Sequence, residues 1–181
     1  MSGETGKISL EGPHWTFALE FYAKPDVAPA CLTLQDKAGV DVILLLYALF
    51  VLRRDGIALA TPQIAELDGA IAAWRKDVVI PLRILRRRIK QGFAPVGKTT
   101  ADPLLQQVAQ AAISSEQVAL AVLASRPLAQ SGDKQPEASA LIDRVIRFYA
   151  PSSGSASGGN DPAVTEAART IADAASFVAR D

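Results

Sequence analysis

Between Trp74 and Lys90 the chain places Arg75, Lys76, Arg83, Arg86, Arg87, Arg88 and Lys90 against a single acid, Asp77, although its formal net charge is zero. Guanidinium groups grip carboxylate or phosphate through paired N–H donors. The chemistry on offer is therefore anion recognition: an acidic protein surface, a small phosphate-bearing ligand, or a nucleic-acid backbone. Arg83, Arg86, Arg87 and Lys90 follow one another at steps of three, one and three, which puts them on one side of a helix. Four cations on one face repel each other unless something anionic lies opposite. Nucleic acid is the weaker form of this reading. The sequence pI is about 6.6, the cluster is short, and it lacks interleaved exposed aromatics.

Other residues could do chemistry only in settings the chain does not provide. Gly92-Phe93-Ala94-Pro95-Val96-Gly97-Lys98-Thr99 satisfies the phosphate-loop pattern G-x-x-x-x-G-K-[ST]. That loop cradles phosphate when a buried strand delivers it, whereas here Arg86-Arg87-Arg88-Ile89-Lys90 precedes it as a basic helix end. Lys98 and Thr99 could still add to an anion site beside the arginines. Magnesium-dependent prenyl transfer needs aspartates clustered at one-turn spacing on two helices, and Asp36 and Asp41 are separated by Gly39 with no second cluster to answer them. Asp41 reads as a helix cap, and Gln35-Asp36 as partners in a buried hydrogen bond or ion pair. His14, the one histidine, has no companions for zinc or a catalytic triad and reads as a cap or surface residue. Cys31 reads as a small core residue, and Trp15 and Trp74 as core anchors. No catalytic residue, metal or cofactor is expected.

Composition bounds the rest. With 181 residues, 49% hydrophobic and 21% charged, the chain suits one domain with a real hydrophobic core. One cysteine excludes an internal disulfide and fits a reducing compartment, and no secretory pattern opens the chain, so a cytoplasmic protein is expected. The apolar run Val42 to Leu52 is too short to span a bilayer, so no membrane association is expected. Charge is uneven: net −3 over residues 1–52, +6 over 53–100 and −3 over 101–181. The basic middle either pairs with these acidic ends or faces a partner.

The elements that must position these side chains are helical. Residues 1–13 read as a flexible tail. A short helix from Trp15 to Tyr22 ends at Pro25, and Asp26 is the expected N-cap of a second helix running to Lys37. The stretch 42–54 is apolar all round and is the expected central helix. Thr61-Pro62 reads as an N-cap followed by a first-turn proline. From there Ile64, Leu67, Ile71, Trp74, Val78, Leu82, Leu85 and Ile89 predict one buried seam, with a kink or break at Asp77 to Ile80 imposed by Pro81. A loop over 91–101 precedes a helix opening at Asp102-Pro103, with Leu104, Val108 and Ala112 among its buried positions. Another helix spans 136–149. Residues 151–162 are a Ser/Gly-rich linker, and 163–181 a tethered amphipathic helix with a Val164–Ala168–Ile171–Ala175–Val178 stripe. The fold class is all-α: a helical bundle over 14–150 with about six or seven helices in the chain.

Trp15-Thr16-Phe17-Ala18-Leu19, Ala30-Cys31-Leu32-Thr33-Leu34-Gln35-Asp36, Gly39, Asp41-Val42, Trp74-Arg75 and Pro81-Leu82-Arg83-Ile84-Leu85-Arg86-Arg87 resemble a small proteobacterial family of unknown function over residues 14–125. The resemblance implies a helical bacterial cytoplasmic protein and assigns no activity. The phosphate-loop-like segment and the linker with its last helix are not features of that family. Gln35, Asp36, Asp41, Arg75, Arg83, Arg86 and Arg87 fall within the likeness, and one hypothesis joins them: acids of the second and third helices meet arginines of the fourth. The leading reading is a non-enzymatic interaction or adaptor protein. It binds an acidic partner through Arg75, Arg83, Arg86, Arg87 and Lys90, with Gln35, Asp36 and Asp41 in support, and the last helix offers a surface for a homodimer. The alternative is a small-anion binding protein or enzyme with its site among Arg75, Arg83, Arg86 and the Gln35-Asp36 pair.

Overall fold

Ten consecutive side chains from Val42 to Val51 are apolar or tyrosine, so a helix built from them has no face to offer water. In the computed structural model, which describes residues 8–128, 133–134, 137–150 and 161–176, all ten are buried in α3 (Val42–Asp55). The Asp41 carboxylate opens that helix, accepting from the Ile43 and Leu44 N–H groups at 2.8 and 3.1 Å. Gly56, at φ 66°, closes it in the left-handed conformation that glycine adopts without strain. Around α3 pack α1 (Pro13–Tyr22), α2 (Val27–Ala38), α4 (Thr61–Trp74), α6 (Lys98–Ala124) and α7 (Ala138–Tyr149). An antiparallel contact of two-residue strands, β1 (Ile57–Ala58) and β2 (Asp133–Lys134), tethers the following connection.

The all-α bundle and its central helix are as expected; several helix ends are not. Asp26 stands at the start of α2 without capping it by its side chain, at φ 62°, a left-handed conformation that aspartate tolerates better than most residues. Ala60, not Thr61, is the N-cap of α4, and the Gln63 amide oxygen accepts from the Ala60 N–H at 2.8 Å. The helix expected to open at Asp102-Pro103 begins at Lys98, placing Pro103 inside it. The N–H that Pro103 lacks would have reached the Thr99 carbonyl, and both residues are exposed, so water can take its place.

Pro81 does not break the long seam helix. Arg75–Val79 form a π-helical turn in which the Ile80 N–H bonds the Arg75 carbonyl, and α5 (Ile80–Gln91) continues from it. The wider turn relieves the clash that a proline ring makes with the carbonyl four residues earlier. It also inserts one residue into the register. Past Ile71 the inward positions become Arg75 and Val79 rather than Trp74 and Val78, while Leu85 turns outward. Trp74, the last residue of α4, is 37% exposed instead of anchoring the core, and its indole N–H reaches the Ser115 carbonyl at 2.9 Å.

α8 (Pro162–Ser176) lies along α2 and also touches α7. Val164, Ala167 and Ile171 are buried there, Lys37 pairs with Asp161 at 2.9 Å just before the helix, and the Lys24 ammonium donates to the Ala174 carbonyl at 2.8 Å. The stripe expected to serve a homodimer is thus covered by the chain itself; its last member, Val178, lies outside the described residues. Most of the expected tail (1–13) and linker (151–162) also lies outside them.

Candidate interaction surface

The π-helical register determines what each arginine meets. Arg75 points into the bundle, where its Nη1 donates to Asp41 Oδ2 at 2.9 Å and Asp68 Oδ1 at 2.6 Å. Tyr149 of α7 donates its hydroxyl to the same Asp68 oxygen at 2.5 Å. The cluster ties the start of α3 to α4, the π turn and α7. Burial works against the Arg75 charge, but the hydrogen bonds to Asp68 and Asp41 hold its pKa above the ordinary arginine value. Burial first, then the Asp41 and Asp68 carboxylates, push the Tyr149 phenol well above its usual range. Asp41 is spent twice, with one oxygen capping α3 and the other holding Arg75.

Arg83 is also drawn inward. Its Nε and Nη2 meet Glu116 Oε1 at 2.7 and 2.6 Å, and its Nη1 donates to Gln35 Oε1 at 2.7 Å, so it bridges α5 to α6 and α2. Acids and arginines do meet across the bundle: Asp41 and the Gln35 amide take part as expected, and Asp68 and Glu116 join them. Asp36, expected in a buried pair, is exposed and has no hydrogen-bond or ion-pair partner among the described residues. Glu116 and Tyr149 come from elements distant in sequence and carry no local signal, whereas Asp68 stands only seven residues before Arg75 on the same helical run.

Arg86, Arg87 and Lys90 are exposed on α5 and have no ion-pair partner among the described residues. Arg88 stacks over the Phe93 ring at 5.7 Å. Apart from the π turn, α5 packs mainly on α6, and Ile89 is its one buried residue. The connection Gly92–Gly97 closes through a Phe93–Val96 bridge, so α5 and the first half of α6 form a helical hairpin that stands away from α3. Its outer surface includes Leu104, expected to be buried. The phosphate-loop match spans that turn and is preceded by a helix; Lys98 and Thr99 are exposed first-turn residues of α6.

The remaining candidates are structural. Cys31 is fully buried, and desolvation pushes its thiol up to about 12. His14 is 8% exposed rather than at the surface, edge-on to Phe50, with no partner for Nε2; burial and then Arg54 lower its pKa. A cavity of about 50 Å³ beside Phe17, Phe21 and Arg53 holds little more than one or two waters. Among the described residues no three His, Cys, Asp or Glu side chains gather as metal ligands, and no helix is long and apolar enough to cross a membrane.

No curated protein and no solved structure matches the chain. Residues 13–123, the segment from α1 through α6 that contains the paired arginines and the basic hairpin, match the family described as Protein of unknown function (DUF2390). That match takes in more than half of the sequence and leaves α7 and α8 outside it, so the chain belongs to the DUF2390 family.

Proposed function

We propose that this protein is a non-enzymatic interaction protein that engages an acidic partner through the exposed basic surface of α5. The division among the arginines carries the reading. Arg75 and Arg83 are neutralised inside the bundle, whereas Arg86, Arg87 and Lys90 stay exposed and unpaired among the described residues. Clustered cations without internal counter-ions repel one another, and an anionic partner relieves that repulsion. Because the same helix lacks any acid from Ile80 to Gln91, the positive field is not cancelled locally. A small-anion site among the bundle arginines has less support, since a ligand there would have to displace Asp41, Asp68 or Glu116.

Affinity capture from nuclease-treated lysate of the source organism tests this, comparing the wild type with an Arg86→Glu, Arg87→Glu, Lys90→Glu variant that keeps its helical circular dichroism. The expected result is a protein partner retained by the wild type and lost by the variant. Identical partner sets would overturn the reading. Binding that nuclease abolishes and that weakens steeply with salt would transfer the surface to nucleic acid.

A further inference from the structure

The basic helix is also greasy where nothing covers it. Ile80, Ile84 and Leu85 are 42%, 52% and 44% exposed. At about 100° per residue, Ile80 lies half a turn round α5 from the buried Ile89, and Ile84 is one turn further along the same outward ridge. Arg87 and Arg88 flank that ridge, roughly 60° to one side of Ile84 and 40° to the other. Isolated apolar residues on a surface are ordinary, but an i, i+4 apolar pair bracketed by cations that have no ion-pair partner among the described residues combines two features that each call for a partner.

From this placement we propose that the outward ridge of α5 seats an amphipathic helix of another protein. Apolar residues of that helix pack on Ile80 and Ile84, and its flanking carboxylates meet Arg87 and Arg88. The inference rests on the function proposed above and gives the partner's chemistry. Charge complementarity sets the sign of the flanks, for residues 80–101 contain six Lys or Arg and no acid. A four-residue step makes a ridge that fits the groove of a facing helix. A phosphate backbone would leave the isoleucines without a role, because it contributes charge and little apolar surface.

The full chain with Gln91→benzoylphenylalanine, which places a photo-crosslinker on the outward face, is irradiated in source-organism lysate and the crosslinked segment sequenced. The proposal expects a segment with apolar residues at steps of three and four and acids beside them. With the partner so identified, Ile84→Asn and the pair Arg87→Glu, Arg88→Glu each weaken binding by at least about tenfold, whereas Arg147→Glu, at an exposed position on α7, changes it less than threefold. Since all of these residues are exposed, unchanged thermal unfolding confirms that each variant is folded. If the charge reversals weaken binding but Ile84→Asn does not, the acidic partner stands and the seated helix falls. An acidic crosslinked segment without apolar spacing also overturns the seated helix, as does crosslinking to lipid or nucleic acid alone. If no α5 variant affects any binding, both the helix and the function proposed above fall.

Discussion

Arg75 shows how little a residue's type says about its use. In sequence it belongs to a basic run suited to binding an external anion, and in the fold it is the counter-ion of Asp41 and Asp68. Replacing it by leucine removes the charge but leaves two carboxylates, one of them nearly buried, without a cation. The expected cost is about 3 kcal/mol, the low end for breaking a buried pair because the Arg75 side chain keeps 22% of its surface exposed. Urea unfolding of Arg75→Leu measures this; a loss below about 0.5 kcal/mol, the scatter of ordinary surface substitutions, would show that the cluster is not structural. Asp41 was legible as a cap because capping is local. Its second bond, to a residue 34 positions away, was not.

At the scale of elements, the π-helical turn matters most. Periodicity predicted a seam through Trp74, Val78 and Leu85, and Pro81 correctly marked where it would be disturbed. The form of the disturbance decided which side chains point in. Opening the helix at Pro81 would have reset the register freely, whereas one extra residue in a turn rotates everything beyond it by a fixed amount. Beyond the turn Leu85 faces outward, while Leu82 remains half-buried and Ile89 buried. The hairpin that follows buries little, so its amides are expected to open locally without global unfolding. Hydrogen–deuterium exchange read by mass spectrometry tests this directly. Peptides covering 82–91 should exchange well before those covering 43–52, and equal protection of the two would mean that α5 is held as firmly as the core helix.

For the molecule as a whole, α8 completes the bundle although it lies beyond the residues matched by the family. Its apolar stripe covers α2, and Ile171 is fully buried in that contact. Ile171→Ala is expected to lower stability by about 3 kcal/mol, the usual loss for truncating a buried isoleucine. A thermal-unfolding midpoint that does not move would indicate that α8 docks too weakly to contribute to the fold.

What the sequence determined by itself is the part of the structure governed by local rules: an all-helical chain, an apolar central helix from about 42 to 54, the Asp41 cap and the site of proline stress. Each follows from a spacing of a few residues, within which backbone sterics and side-chain periodicity act directly. Tertiary structure alone decided which of the cations are free. An arginine's partner is whichever acid the packing brings within reach, and Asp41, Glu116 and Tyr149 come from elements that only folding places beside α5 and the π turn. Only after those pairings are made do Arg86, Arg87, Arg88 and Lys90 stand out as the charges of α5 left facing outward.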